Sequence, residues 1–178
     1  FVNLTLNGPS TNRGTLRLGS RNDGGQLNGS GSLVNEGLLE VFVTEPLSSG
    51  SEATFNLPVS VPVGGTLRLQ PDALLNLSCS AQSLAIDGTL DLQAGSRLRI
   101  DGCNRKTVSV AAGASLLGNG TLRLDSANLV LAAGDWNGPI HLQPDFSPHL
   151  PRAFYTRETR LVARALLGLV PVPDEIGR

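Results

Sequence analysis

Alternating apolar and polar positions recur along this chain in short segments that open with glycine. In Gly88-Thr-Leu-Asp-Leu92, Leu90 and Leu92 share one side while Thr89 and Asp91 share the other. Variants of the same five letters occur four more times, at Gly14–Leu18, Gly37–Val41, Gly65–Leu69 and Gly120–Leu124. A period of two over so few residues predicts short β-strands with one buried face.

Three such strands recur in the same order at a period of about two dozen residues. The first strand aligns Gly65–Leu69, Gly88–Leu92 and Ala112–Leu116; the second aligns Ala73–Leu77, Ser96–Ile100 and Gly120–Leu124; the third aligns Leu84–Ile86, Val108–Val110 and Leu129–Leu131. We expect Ile140–Leu142 to begin a further coil. This repeat predicts an all-β fold, a parallel β-helix with three short strands per coil. We expect it to be right-handed, as parallel crossovers generally are.

An antiparallel β-sandwich also has short strands and glycine-rich turns, but the constant period favours the β-helix. Three segments are expected to interrupt the strands. Asn7–Arg13 predicts a turn and Gly19–Gln26 a polar loop. Pro58 and Pro62 indicate that Phe55–Val63 is irregular or lies at an edge.

The C-terminal part of the chain differs in composition, which predicts a β-helix over residues 1–150 and a separate segment over 151–178. Within this segment Thr156–Val170 predicts an amphipathic helix that Pro171 ends. Its aliphatic stripe consists of Val162, Leu166 and Leu169. We expect this stripe to dock on the β-helix or on a partner chain, because its exposure would favour aggregation.

Composition and charge exclude several classes of protein. The formal net charge of −1 gives no electrostatic basis for binding nucleic acid or an anionic membrane. No apolar run is long enough for a membrane span. The sequence begins with Phe1 and contains no Met, so we expect a processed product or part of a longer protein.

Four Asn-x-Ser/Thr sequons indicate a secreted or cell-surface glycoprotein; their asparagines are Asn3, Asn28, Asn76 and Asn119. The alternative is a bacterial surface protein in which the sequons have no role.

The two cysteines occupy nearly the same place on successive coils. Cys79 follows Gly65 by 14 residues, and Cys103 follows Gly88 by 15. Stacked strands lie about 4.8 Å apart, within the Cα separation of roughly 4.4–6.8 Å of a disulfide. We therefore predict a Cys79–Cys103 disulfide and an oxidising compartment. The alternative is a pair of buried thiols in a cytosolic protein.

Two segments carry a family resemblance: Asn35-Glu-Gly-Leu-Leu-Glu-Val41 and Asn119-Gly-Thr-Leu-Arg-Leu124. They resemble the repeats of secreted β-helical adhesins of the autotransporter-passenger and filamentous-haemagglutinin type, and the resemblance covers about Gly14 to Leu142. It implies a surface scaffold for adhesion or assembly. The wider pectin-lyase-like group of β-helices includes polysaccharide enzymes, which makes an enzyme the alternative. The cysteines and sequons depart from the bacterial pattern.

A polysaccharide enzyme on this fold needs two or three acids clustered on one face of adjacent coils. The acids of the repeat region are Asp87, Asp91, Asp101, Asp125, Asp135 and Asp145. None forms a column on the first strand, whose outward sites read Arg17, Glu40, Arg68, Asp91 and Ser115. The pattern predicts a stacked ladder of alternating charge and no catalytic residues.

Two further groups of side chains were candidates for chemistry. His141 and His149 lack neighbours at metal-ligand spacing, so we expect no metal and no cofactor. The aromatic residues near the C-terminal break are Trp136, Phe146, Phe154 and Tyr155. They predict a plug over the last coil, because the open end of a repeat fold needs a cap. The alternative is a platform for sugar stacking.

These observations together predict a non-enzymatic structural or adhesive module of an extracellular or cell-surface protein. It would act as a rigid scaffold or an assembly unit. The expected partners are other protein chains or copies of itself, with no nucleic acid. The alternative function is a carbohydrate-binding or polysaccharide-degrading β-helix.

Overall fold

The computed structural model describes residues 3–20, 24–43, 52–78, 83–101, 107–125, 127–132 and 139–144. All of them belong to the compact unit Phe1–Asp145. The unit Phe146–Arg178 lies outside the described residues, and so does the predicted helix Thr156–Val170 with Val162, Leu166 and Leu169.

The described strands form three parallel sheets. Sheet A contains β1 (Asn3–Thr5), β4 (Gln26–Asn28), β7 (Ala53–Phe55), β10 (Leu74–Leu77), β13 (Arg97–Asp101), β16 (Thr121–Asp125) and β18 (His141–Pro144). Sheet B contains β2 (Pro9–Asn12), β5 (Ser32–Asn35), β8 (Val59–Val61), β11 (Ser83–Ile86), β14 (Thr107–Val110) and β17 (Asn128–Leu131). Sheet C contains β3 (Thr15–Ser20), β6 (Leu38–Val43), β9 (Thr66–Leu69), β12 (Thr89–Leu92) and β15 (Ser115–Leu117).

The chain visits the sheets in the order A, B, C, so β1 to β15 make five coils of three strands. Strands β16 and β17 continue in sheets A and B, and β18 returns to sheet A. This is the predicted parallel β-helix with three strands per coil.

The core is a set of aliphatic columns inside the coils. Leu39, Leu67 and Leu90 stack in register in sheet C, and all three are fully buried. Each of these side chains removes apolar surface from water by packing on the coils before and after it, worth roughly 1.5–3 kcal/mol apiece. The alternation that predicted the strands therefore corresponds to inward and outward positions.

The predicted alignments of the second and third strands are confirmed. Leu77 pairs with Ile100 and Ile100 with Leu124. In sheet B, Leu84 pairs with Val108 and Val108 with Leu129.

The predicted alignment of the first strand is wrong at its last member. Leu90 pairs with Leu116, which places Leu117 opposite Asp91 where Ser115 was expected. The corner before β15 is a four-residue turn, Ala111–Ala114, closed by a 3.1 Å bond from Ala114 N to Ala111 O. The corresponding corner before β12 has only Asp87 and Gly88, so the register shifts by two residues.

The segment around Ile140 was also placed on the wrong sheet. It was expected to begin a coil as a first strand, but β18 lies in sheet A, with Leu142 opposite Leu122. Leu142 packs against the core there.

A strand replaces one of the three predicted interruptions. Pro9–Asn12 forms β2 and pairs with Ser32–Asn35, although a turn was predicted there. The predicted polar loop overlaps β3 and β4 only at its ends, since β3 ends at Ser20 and β4 begins at Gln26; Gly24 and Gly25 lie between the strands, and residues 21–23 lie outside the described residues.

The prolines of the third segment lie at corners, flanking β8, which is an interior strand of sheet B. Pro58 contributes its carbonyl oxygen, which accepts a 3.0 Å bond from Leu33 N. The edge alternative was therefore wrong, because neither ring has to donate to a ladder, whereas the segment is irregular at residues 56–58 and 62–63, which lie outside the strands.

Candidate functional site

The outer face of sheet C carries four charged side chains in register, here called the charge ladder: Arg17, Glu40, Arg68 and Asp91. Arg17 Nε lies 2.7 Å from Glu40 Oε2, and Arg68 Nε lies 2.8 Å from Asp91 Oδ2. The predicted alternation of charge on one face is confirmed for these four residues. Leu117, which is 46% exposed, follows Asp91 in the column.

The carboxylates of the charge ladder are more buried than outward positions usually are, at 6% exposure for Glu40 and 7% for Asp91. Gln70 Nε2 donates a 2.7 Å bond to the second oxygen of Glu40. Arg17 covers the same region, with its guanidinium carbon 4.4 Å from the centre of the Phe42 ring. Glu40 is thus held from both neighbouring coils by donors whose aliphatic stems cover it.

A second ionic group lies on the outer face of sheet A. Asp125 accepts 2.7 Å bonds from Arg99 Nε and from Arg123 Nε, one to each oxygen. Burial raises the pKa of Asp125, but the hydrogen bonds and positive charges of Arg123 and Arg99 outweigh it and leave this pKa below its ordinary value. The sequence pattern marked Asp125 as a candidate acid but gave no sign of its two arginine partners.

Two polar ladders reinforce the stacking of coils. At the corner after sheet B, Asn12 Nδ2 donates a 2.7 Å bond to Asn35 Oδ1. Asn35 is fully buried and donates in turn to Thr66 O at 2.8 Å. Buried amides that satisfy one another in this way fix the register without an unpaired polar group.

The second polar ladder runs along the end of the sheet A strands. Asn56 Nδ2 donates to Asn28 Oδ1 at 2.5 Å, and Ser78 Oγ donates to Asn56 Oδ1. Neither polar ladder was predicted from the sequence, although amide residues at the ends of successive strands were the available signal.

Within the described ranges, Asp101 and Asp125 are the one pair of candidate acids at the same register position of adjacent coils, and both oxygens of Asp125 accept hydrogen bonds from arginines. Glu40 and Asp91 share a face, but the strand of Arg68 separates them, so their backbones lie about 10 Å apart, two strand spacings. Asp87 is exposed at a corner, and Asp101 pairs with Asp125 in backbone register. Asp135 and Asp145 lie outside the described residues. Among the residues that the structure describes, no three His, Cys, Asp or Glu side chains are grouped to hold a metal.

The four sequon asparagines occupy different environments. Asn3 on β1 and Asn119 in the turn after β15 are exposed. Asn28 is half-buried, and its Nδ2 donates to Gln26 Oε1 at 3.2 Å. Asn76 is half-buried in the middle of sheet A. A glycan attaches at Nδ2, so Asn3 and Asn119 offer the most accessible acceptors.

Several predicted site residues lie outside the described residues. They are Cys79, Cys103, His149, Trp136, Phe146, Phe154 and Tyr155. His141 is described and lies exposed on β18. The disulfide and the aromatic plug remain predictions.

Comparisons with protein-family models, with curated proteins and with solved structures returned no match to this chain. Within the described ranges, no helix has the length and apolar character needed to cross a membrane.

Proposed function

We propose that this chain is a non-enzymatic structural or adhesive module of an extracellular or cell-surface protein, acting as a rigid scaffold or assembly unit. The observation that carries the proposal is that its polar side chains are used to join one coil to the next. The charge ladder, the two polar ladders and the Asp125 group all bridge neighbouring coils.

The state of the carboxylates supports a structural role over catalysis. A general acid needs a raised pKa, which a desolvated and unpaired carboxyl provides. Here Glu40, Asp91 and Asp125 each contact an arginine, and the pKa of Asp125 is lowered. The two arginines keep Asp125 ionised, and the ion pairs of all three carboxylates hold neighbouring strands in register.

An activity assay with matched variants tests the non-enzymatic part. The chain is incubated with polygalacturonate, xylan and dextran, and new reducing ends are measured against Glu40→Gln and Asp91→Asn variants. We expect no release above the blank from any of the three proteins, while both variants unfold at lower temperature than the parent. Release that is lost in a variant still folded at the assay temperature would contradict the proposal and favour the polysaccharide-degrading alternative.

Localisation is tested in the cells that make the protein. An antibody raised against the chain should stain intact cells, or recover the chain from the medium, as strongly as it stains permeabilised cells. An intracellular marker serves as the control for membrane integrity. Staining that requires permeabilisation, with none of the chain in the medium, would contradict an extracellular role.

A further inference from the structure

The outer face of sheet A is divided into an uncharged half and an arginine-bearing half. Its central outward column, here called the donor column, runs in register through Asn3, Gln26, Thr54, Asn76, Arg99, Arg123 and Gln143. The described strands β1, β4, β7 and β10 contain no charged residue, whereas β13 and β16 carry three arginines. Every member of the donor column can donate a hydrogen bond to a ligand lying across the strands.

A neighbouring outward column adds further donors beside the arginine-bearing half. Arg97 pairs with Thr121 and Thr121 with His141, and both Arg97 and His141 are exposed. The side chain of Arg97 forms no hydrogen bond or ion pair with any other residue that the structure describes. Its guanidinium is therefore available to an anion from solution.

The balance of charge on this face differs from that of the charge ladder. In the charge ladder two arginines face two carboxylates, each pair within 2.8 Å. On sheet A, three arginines accompany Asp125 and Asp101, which share a register position at the far end of the strands from Arg97. Asp125 engages Arg123 through Nε, so the two terminal amino groups of Arg123 lie outside that contact. The strand residues of the column that contains Arg97, which are Leu74, Arg97, Thr121 and His141, include no acid; the nearest acid along this column is Glu52, which directly precedes β7 two coils away from Arg97.

We propose that the outer face of sheet A binds an acidic polysaccharide that runs along the solenoid axis. Arg97, Arg99 and Arg123 would contact its carboxylate or sulfate groups, because a guanidinium matches planar and tetrahedral oxyanions. The amides of the donor column would hydrogen-bond the sugar hydroxyls. The proposal rests on the adhesive function proposed above and names its ligand class.

The shape and chemistry of the face favour a carbohydrate chain over other polyanions. Donors that repeat at the strand spacing of about 4.8 Å over seven strands suit an extended polymer. Nucleic acid is disfavoured because the described outward positions of sheet A include no Phe, Tyr or Trp ring for base stacking.

Binding of defined polymers to the full chain tests the proposal. The probes are polygalacturonate, dextran sulfate, neutral dextran and duplex DNA, titrated at low and at physiological salt. We expect binding to polygalacturonate, to dextran sulfate or to both, which identifies the acidic group, and weaker binding to the other two. Arg97→Glu should weaken it about tenfold, and Arg97→Gln less.

Arg13→Glu is the matched control, since it makes the same charge reversal at an exposed arginine away from sheet A. It should change affinity by less than about twofold. Each variant is first shown to unfold with the same cooperativity as the parent. We expect the Arg97 variants to pass this check because the side chain is exposed.

Four outcomes would overturn the site: no binding by the folded chain, equal binding to neutral dextran, tighter binding to DNA, or equal losses in the Arg97 and Arg13 variants. If the chain binds no acidic polysaccharide but is found outside cells, the binding site is wrong while the proposed scaffold function stands. Cleavage of bound polygalacturonate would instead contradict the non-enzymatic function while keeping the site.

Discussion

The hydroxyl groups of Ser96 and Ser78 differ in whether they have a hydrogen-bond partner. Ser96 is 1% exposed, and its Oγ has no hydrogen-bond partner among the described residues. Ser78 Oγ instead donates to Asn56. Ser96→Ala should therefore raise the free energy of unfolding by about 1 kcal/mol, and Ser78→Ala should lower it by about 1 kcal/mol. Urea denaturation checks both, and a loss of stability in Ser96→Ala would show that its hydroxyl is satisfied in solution.

Two glycines test where the chain requires a left-handed backbone. Gly95 has φ +74° in the turn closed by a 3.0 Å bond from Ser96 N to Gln93 O. Gly113 lies at the same position of the Ala111–Ala114 turn without a left-handed φ and with open space around an added Cβ. We expect Gly95→Ala to destabilise by about 1–2 kcal/mol and Gly113→Ala to be neutral or slightly stabilising.

A double substitution separates strain from steric contact at Gly95. An added Cβ there would lie 2.0 Å from Asp72 Oδ1, at the flexible end of a side chain. In an Asp72→Gly background the cost of Gly95→Ala should fall to the backbone strain alone. An unchanged cost, measured by urea denaturation of the four proteins, would assign the whole effect to the backbone.

Asp125 should make stability depend on pH in the acid range. Its pKa is lower in the folded chain than the ordinary value of about 3.9, so its ionised form stabilises the fold above that pH. This contribution is lost as the pH falls through the folded pKa. Asp125→Asn should cost about 1–2 kcal/mol at pH 7, and the difference from the parent should shrink below about pH 4.

The control for this pH dependence is Ser96→Ala, whose difference from the parent involves no titrating group. Urea denaturation at pH 7 and at pH 3 compares both variants with the parent. A gap between Asp125→Asn and the parent that is equally large at both values would show that ionisation of Asp125 does not stabilise the fold.

At the scale of single strands, we expect a nearly buried ion pair of the charge ladder to contribute more to the free energy of unfolding than an exposed ion pair. Asp91 is 7% exposed and depends on Arg68, whereas Arg13 and Glu36 form a pair whose side chains are 78% and 44% exposed. Arg68→Gln should lower the free energy of unfolding by about 1–3 kcal/mol, because it leaves a nearly buried carboxylate without its cation. Arg13→Gln should cause no measurable loss. Equal losses of stability for Arg68→Gln and Arg13→Gln in urea denaturation would mean that burial of Asp91 does not strengthen its ion pair.

Strand prediction succeeded where inward positions are aliphatic and failed where they are polar. Strand β10 alternates Leu74, Leu75, Asn76 and Leu77, with Leu75 and Leu77 buried, and its alignment was found from sequence. Strand β2 places Asn12 at an inward corner position, where Asn35 satisfies it, so no hydrophobic period marks it. A hydropathy pattern cannot anticipate a polar residue whose partner lies 23 residues away in another coil.

Burial of the ladder carboxylates could not be predicted for a related reason. The alternation of positive and negative charge on one face follows from the period. The burial of the Glu40 carboxylate instead depends on how far the side chains of Arg17 and Gln70 reach from the adjoining coils. Only the register places those two side chains over the same carboxylate.

At the scale of the whole solenoid, coil length varies at the corners while the strands stay in register. In sheet C, Arg17 pairs with Glu40, Glu40 with Arg68, and Arg68 with Asp91, and the steps along the chain are 23, 28 and 23 residues. A constant period therefore aligns strands only where corners match, which explains the errors at Ser115 and at Ile140. Corner insertions leave the aliphatic columns intact, so the fold class was predictable even where the register was not.

The register of the flanking strands gives the cysteine prediction a sharper basis. Leu77 pairs with Ile100, a step of 23 residues, and Ser83 pairs with Thr107, a step of 24. Cys79 and Cys103 lie outside the described residues, between these two pairs in the sequence, and are themselves 24 residues apart. We therefore expect them to align to within about one position, at the Cα separation of a disulfide, and predict a single Cys79–Cys103 bond.

A non-reducing peptide map of the natural protein should show one Cys79–Cys103 crosslink and no free thiol. The bond closes a loop of about two dozen residues, so Cys79→Ser with Cys103→Ser should lower the free energy of unfolding by about 3 kcal/mol. Reducing agent should lower the stability of the parent by a similar amount and leave the double variant unchanged, because the variant has no bond to break. Two free thiols in the natural protein would remove the evidence for an oxidising compartment, and with it one of the supports for a role outside the cell.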